Sequence, residues 1–83
     1  MNVLPLHKDI SKYLKKHYLE KKFFKQITML SAYFSFYPSL EVELLEPKHL
    51  KIWSFRVDKK YRAIFIFRES NMIEILDVNN HYK

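Results

Sequence analysis

Residues 52–68, IWSFRVDKKYRAIFIFR, decide the fold of this chain. Two segments rich in β-branched and aromatic residues, 52–57 and 61–68, stand on either side of the short stretch DKK. A connection this short joins antiparallel neighbours, so the stretch predicts a β-hairpin. If Val57 lies opposite Tyr61, one face of the hairpin is wholly apolar and aromatic, as a core face should be. That face carries Trp53, Phe55, Val57, Tyr61, Ala63, Phe65 and Phe67.

The same register sets Arg56 directly opposite Arg62 on the other face of the hairpin. Like charges opposed across two strands are destabilising, so this pair indicates that an anion binds between them. Two neighbouring guanidinium groups suit a phosphate, because each offers a planar fork of donors. Alternatively, each arginine pairs with a nearby carboxylate, that of Glu41, Glu43 or Glu46. The residues alone leave both interpretations open.

The end of the chain is predicted to lie beside this arginine pair. A third strand candidate, 72–78, follows closely and should run antiparallel to 61–68, so that it ends near Arg62. The chain then continues as NNHYK, which places His81 and Tyr82 near the arginines. Histidine titrates in the range needed for proton transfer. However, a lone terminal histidine is more often a solvated surface group.

The first half of the chain reads as helical. Residues 2–4 form a short strand candidate, and apolar residues then recur at helical spacing over about 6–18 and again over 23–37. Residues 39–51 mix charges and leucines around a proline, which is typical of a connecting loop, with or without a short extended piece. The predicted fold is α+β: a short N-terminal strand and a helical hairpin packed on a small antiparallel sheet, as one domain over residues 1–83.

Composition limits the classes of function. The chain has no glycine, which excludes a Walker loop and a dinucleotide fingerprint, because both need glycine for close approach to phosphate. It has no cysteine, and its four histidines lack metal-ligand spacing, so neither a disulfide framework nor a zinc site is expected. No apolar run reaches membrane-spanning length and no signal peptide is evident, so we expect a cytoplasmic protein without a membrane partner.

The charge balance favours an anionic partner. Lysine and arginine number 15 against 9 acidic residues, for a net charge of +6. A body of 83 residues with this charge is expected to bind nucleic acid or an acidic protein. The alternative is that the basic charge only aids solubility.

Residues 44–67, LLEPKHLKIWSFRVDKKYRAIFIF, followed by a strand and a His-Tyr pair, resemble the RelE/ParE toxin superfamily of bacterial type II toxin–antitoxin systems. Within it, the mRNA interferases of the RelE, YoeB and YafQ kind are the most similar. The resemblance implies a RelE-like fold and a ribosome-dependent mRNA endonuclease that acts in the ribosomal A site and inhibits translation. A cognate antitoxin would neutralise it.

The resemblance also implies an active site. Arg62 matches the active-site arginine of YoeB-like toxins, and His81 and Tyr82 match their His-Tyr end. Counting without a gap, Glu43 falls at the position of the catalytic acidic residue, and Glu46 is a substitute if the loop length differs. These residues would cleave RNA without a metal or other cofactor, and the product would be a 2′,3′-cyclic phosphate.

Other residues are assigned supporting roles. Arg56 matches the arginine that follows the Trp-Ser pair in this family and would help to hold the scissile phosphate. Residues expected to contact RNA are Lys48, His49, Lys51, Lys59 and Lys60. Two other functions remain: a non-catalytic ParE-like inhibitor of DNA gyrase, which leaves the Arg, His, Tyr and Glu set unexplained, or a basic RNA-binding or interaction domain without activity.

Overall fold

The computed structural model describes residues 2–33, 38–69 and 71–80. Its elements in chain order are β1 (Asn2–Val3), α1 (Lys8–Lys16), α2 (Glu20–Tyr33), β2 (Glu43–Leu44), β3 (Trp53–Arg56), β4 (Arg62–Arg68) and β5 (Met72–Asn79). Short 3₁₀ turns at Pro38–Leu40 and Lys48–Leu50 flank β2. Two helices and one sheet confirm the predicted α+β class.

The strands form one sheet in the order β1-β5-β4-β3-β2. Strands β2 to β5 are antiparallel neighbours, as the short connections predict. The predicted antiparallel sheet is extended at one edge, where β1 pairs with β5 in parallel. The two-residue β1 carries no sequence signal for its partner, and it covers the edge that β5 would otherwise leave open.

The segment 39–51, predicted as a connecting loop with or without a short extended piece, contains the two-residue strand β2. Glu43 pairs with Ser54 and Leu44 with Trp53, so β2 extends the hairpin by one more strand. A strand this short has no readable alternation, and only its pairing with β3 reveals it. This pairing brings the acidic residues before and within β2 next to the arginine face.

The register of the central hairpin is as predicted. Phe55 lies opposite Ala63 and Arg56 lies opposite Arg62. The turn closes where the Val57 amide donates to the Tyr61 carbonyl at 2.9 Å. Alternation of side chains therefore buries one face of the hairpin and turns both arginines to the other face.

The helices cover the apolar face. Helix α1 is shorter than the predicted 6–18, and the predicted end of the second helix falls within 34–37, outside the described residues. The buried core combines both helices with the sheet: Ile10, Leu14, Leu19, Phe23, Ile27, Leu30, Leu40, Phe55, Val57, Ala63, Phe65, Ile73, Ile75 and Val78. Among the residues that the structure describes, no helix is long enough and apolar enough to cross a membrane.

A bulge adjusts β5 to the core. Phe65 pairs with Ile75, whereas Ile64 pairs with Asp77, so Leu76 is an additional residue in β5 and is 40% exposed. The additional residue lets both Ile75 and Val78 face the core although they are three positions apart. Strand β5 ends opposite Arg62, which confirms the predicted direction of the last strand.

Candidate functional site

A cleft of about 290 Å³ opens where the β3–β4 turn meets the segment that leads into β2. It is lined by Glu41, Glu43, Arg56, Asp58, Lys59, Lys60 and Arg62. The lining carries four cationic and three acidic side chains, so the cleft is polar and can bind an anion against its cations.

Arg62 forms the floor of this cleft and is only 8% exposed. Its Nε and Nη2 donate to the Ser54 hydroxyl at 3.1 and 2.9 Å. Nη2 also donates to the Glu41 backbone carbonyl. A buried charge is tolerated when its donors are hydrogen-bonded, and these contacts fix the plane of the guanidinium.

Glu41 joins the two arginines. Its carboxylate lies 2.7 Å from Arg56 Nη1 through one oxygen and 3.6 Å from Arg62 Nη1 through the other. The residue has a left-handed backbone, with φ of 44°, directly after the Pro38–Leu40 turn. A residue with a Cβ pays roughly 1–2 kcal/mol for this conformation. The turn thereby directs both the carbonyl and the carboxylate of Glu41 toward the arginines.

The structure supports the interpretation that carboxylates pair with the two arginines. Besides the contacts of Glu41, Glu43 lies 3.8 Å from Arg62 Nη2. In the described part of the chain, Glu46 makes no ion pair with either arginine. Glu41 and Glu43 are about half exposed, at 48% and 52% of their side chains, so solvent screens these ion pairs and an incoming anion can displace them.

The backbone of Arg56 is held by the helical layer. The buried Gln26 of α2 donates from Nε2 to the carbonyls of Arg56 at 2.7 Å and Ser39 at 3.1 Å. The Arg56 Nε donates to the Asp58 carbonyl at 3.3 Å. One amide side chain thus ties α2 to both walls of the cleft.

The turn between β3 and β4 is organised by Asp58. Its carboxylate accepts from the backbone amides of Lys60 and Tyr61, both at 2.9 Å, and lies 3.2 Å from Lys22 Nζ. Burial raises the pKa of the Asp58 carboxyl, but the two amides and the ammonium group outweigh burial, and the pKa lies below its ordinary value. The ionised carboxylate therefore fixes the turn that carries Lys59 and Lys60.

The structure brings half of the predicted site residues together. These are Glu43, Arg56, Lys59, Lys60 and Arg62, which all line the cleft. Lys48, His49 and Lys51 are exposed and lie at the 3₁₀ turn that precedes β3, at the opposite end of that strand from Arg56. His81 and Tyr82 lie outside the described residues.

Three residues of the site were missed by sequence reasoning: Ser54, Asp58 and Gln26. A signal existed for Ser54, because strand alternation places it on the face of Arg56 and the strand is otherwise aromatic. The hydrogen bonds of Gln26 depend on tertiary packing, so no local sequence pattern predicts them. Glu41 was considered only as an ion-pair partner and not as part of the site.

No metal centre is evident in the part of the chain that the structure describes, since no three His, Cys, Asp or Glu side chains there are grouped to hold an ion. What the cleft offers is paired guanidinium groups, a second pair of cations on the turn and two accessible carboxylates. Such a set can bind a phosphate, neutralise added negative charge and accept a proton.

The family profile described as the RelE-like toxin of type II toxin–antitoxin system HigB matches residues 7–81. The chain belongs to this family. It is a toxin of the type II toxin–antitoxin class, as the resemblance to RelE-like proteins predicted. RelE-like toxins are in general endoribonucleases, and mRNA interferase activity is the activity known for the family.

Solved structures show the same fold. A copper-bound mutant toxin from Helicobacter pylori superposes with a TM-score of 0.75 at 16% identity, covering 98% of this chain and 96% of its own. YafQ from Escherichia coli superposes with a TM-score of 0.73 at 10% identity, covering 96% of this chain and 90% of YafQ. The YoeB–YefM complex of Staphylococcus aureus superposes with a TM-score of 0.71 at 17% identity, covering 99% of this chain and 98% of the matched chain. Among curated protein sequences, none matches this chain significantly.

Proposed function

We propose that this toxin is a metal-independent endoribonuclease that cleaves mRNA in the ribosomal A site and thereby inhibits translation. The observation that carries the proposal is the cleft in which the buried Arg62 lies opposite Arg56, with the Glu41 carboxylate bound between them at 2.7 and 3.6 Å. An anionic group already occupies the position where a scissile phosphate would bind.

The phosphate would replace a carboxylate. Glu41 is exposed enough to move aside, while Arg62 is held by Ser54 and would keep its orientation. Two guanidinium groups can each form paired hydrogen bonds to non-bridging phosphate oxygens. Because Arg62 needs no rearrangement on binding, it would act on charge that develops in the transition state.

The proposed reaction is an in-line transesterification. Glu43 or His81 takes the proton of the ribose 2′-hydroxyl, and the 2′-oxygen attacks the phosphorus. Arg62 and Arg56 neutralise the additional negative charge of the phosphorane. The bond from phosphorus to the 5′-oxygen then breaks, and His81 or Tyr82 donates or directs the proton to that oxygen. The products are a 2′,3′-cyclic phosphate and a free 5′-hydroxyl.

Basic side chains around the cleft would hold the RNA. Lys59 and Lys60 lie on its rim, where they can contact phosphates next to the scissile one. Lys48, His49 and Lys51 lie farther along β3 and would contact a separate part of the mRNA or of ribosomal RNA. Each phosphate contact should make binding weaker as salt concentration rises.

A cognate antitoxin is the proposed protein partner. The structurally similar YoeB from Staphylococcus aureus is found in complex with YefM. For this chain we expect an acidic, partly disordered segment that folds over the cleft and pairs with its cations. Such a partner would act in the cytoplasm, where the toxin would meet translating ribosomes.

The test compares wild type, Arg62→Ala and a deletion of His81 and Tyr82 by mapping mRNA 5′ ends after expression. Arg68→Ala is the matched control, since Arg68 is at the other end of β4 and is 61% exposed. Wild type and the control should give codon-phased cleavage, and the two site variants should not. Growth arrest without such cleavage, or cleavage that survives loss of both Arg62 and His81, contradicts the proposal.

A further inference from the structure

The corner between α1 and α2 presents a tyrosine almost entirely to solvent. Tyr18 is 90% exposed and has a left-handed backbone, with φ of 57°. Its amide donates to the Lys15 carbonyl at 3.2 Å, and the Leu19 amide donates to the Leu14 carbonyl at 2.8 Å. These two bonds are those of a Schellman motif, with Tyr18 at the position after the helix cap and the two buried leucines in hydrophobic contact range.

This position is one at which glycine is preferred, because a left-handed backbone crowds any side chain that has a Cβ. Tyr18 gains no core burial in compensation, since so little of its ring is covered. The stability of the fold therefore does not explain why an exposed aromatic residue occupies this left-handed backbone conformation. Features of this kind are typical of binding surfaces.

Exposed lysines precede and follow Tyr18 along both helices. Between residues 12 and 25 the sequence carries six lysines and a single acidic residue, Glu20. All six lysines are exposed: Lys12, Lys15, Lys16, Lys21, Lys22 and Lys25. The corner is therefore a basic surface with an aromatic ring at its tip, and its partner should be anionic.

The corner is joined to the cleft by two contacts. The Tyr61 hydroxyl lies 3.3 Å from His17 Nδ1, and Lys22 pairs with Asp58 at 3.2 Å. Tyr61 directly precedes Arg62 in the chain, and Asp58 organises the turn on the cleft rim. The corner therefore lies next to the turn on the cleft rim, and one large polyanion can contact both.

We propose that the α1–α2 corner binds structured RNA, with Tyr18 stacked on an unpaired base and the neighbouring lysines on the flanking phosphates. The inference rests on the proposed function and adds a second contact with the RNA, outside the cleft. RNA fits better than an acidic protein, because a base offers a π-face for the exposed ring whereas carboxylates would use only the lysines.

The test uses the Arg62→Ala protein, which should leave RNA intact, and an RNA stem-loop with 2-aminopurine in its unpaired loop. Binding is followed by anisotropy, and stacking is followed by the 2-aminopurine emission. Tyr18→Phe should bind as the parent does, whereas Tyr18→Gly should bind about tenfold more weakly and lose the change in emission. Tyr33→Gly, at the end of α2 and 50% exposed, is the matched control and should bind normally.

Thermal unfolding tests whether Tyr18→Gly weakens binding only by disturbing the fold. Tyr18→Gly should melt at the same temperature as the Arg62→Ala parent or at a higher one, because glycine is preferred at this position. The inference is overturned if Tyr18→Gly binds with unchanged affinity and emission. It is also overturned if polyglutamate displaces the RNA and Tyr18 contributes nothing, which would indicate an acidic protein site. Cleavage of mRNA on programmed ribosomes by the wild type is measured separately: Tyr18-dependent RNA binding without any such cleavage refutes only the proposed endonuclease.

Discussion

Arg62 donates two hydrogen bonds to a single buried acceptor, the Ser54 hydroxyl, at 3.1 and 2.9 Å. Ser54 is fully buried although it lies on the face of the sheet that carries the arginines. The guanidinium covers the hydroxyl and the hydroxyl fixes the guanidinium. Through this pair, a serine on β3 sets the direction in which the cleft presents its central positive charge.

Ser54→Ala should therefore affect both stability and activity. Loss of the acceptor removes two hydrogen bonds from a buried charge, which should lower the free energy of unfolding by about 1–3 kcal/mol. On mRNA-programmed ribosomes, the cleavage rate at saturating ribosome concentration should fall more than the affinity, because the orientation of Arg62 is lost while its charge remains. Urea unfolding measures the effect on stability, and single-turnover cleavage on programmed ribosomes measures the effect on activity. Ser11→Ala, an exposed serine on α1, is the control, and a full cleavage rate in Ser54→Ala would contradict the positioning role.

Glu41→Gln should strengthen RNA binding. The carboxylate of Glu41 competes with phosphate for both Arg56 and Arg62, and the amide is a weaker competitor with the same shape. We expect a several-fold lower Kd for a non-cleavable RNA, and a slight loss of stability because the opposed arginines then lose the carboxylate that they share. Glu46→Gln removes the same charge without either ion pair and serves as control. Weaker RNA binding by Glu41→Gln would show that phosphate does not replace this carboxylate.

Asp58 should make stability depend on pH. Its pKa is lower in the folded protein than the ordinary value of 3.8, so its carboxylate stabilises the fold above that value. This stabilisation is lost as pH falls through the lowered, folded-state pKa. Asp58→Ala should therefore be about 1 kcal/mol less stable than wild type at neutral pH, with the difference shrinking in acid.

The measurement for Asp58 is urea unfolding of wild type and Asp58→Ala over a pH series. Asp58→Asn is the matched variant, because its amide oxygen can still accept from the amides of Lys60 and Tyr61 but cannot pair with Lys22. It should retain part of the stability and show no titration at this site. A difference between wild type and Asp58→Ala that stays constant with pH would be evidence against this role of the carboxylate.

Gln26→Ala should loosen the contact between α2 and the cleft. The side chain is 8% exposed and bonds two carbonyls, one on Arg56 and one on Ser39. Its removal leaves both carbonyls without this donor, at a cost of about 1–3 kcal/mol in the free energy of unfolding. Hydrogen exchange should increase in β3 and around residues 38–41. Thr28→Ala, on the exposed side of the same helix, is the control, and equal exchange in both variants would refute the coupling.

Local sequence patterns predict much of the fold. The alternation of aromatic residues in 52–68 and the three-residue turn determined the hairpin register, because a slip by one residue would turn every side chain to the wrong face. That register alone placed Arg56 opposite Arg62. Helical spacing likewise located both helices, although α1 is shorter than predicted and α2 begins before the predicted pattern, at Glu20.

The sequence by itself thus determined the hairpin, its arginine pair and the direction of the last strand. The tertiary structure decided how the pair is used: Glu41 returns to it from 15 to 21 residues earlier in the chain, Gln26 holds it from α2, and β1 closes the far edge of the sheet in parallel. The two kinds of interaction differ in the sequence separation of the residues that make them. Side-chain alternation acts between neighbours in a strand, whereas burial of Arg62 and satisfaction of its donors depend on segments that meet only when the core has formed.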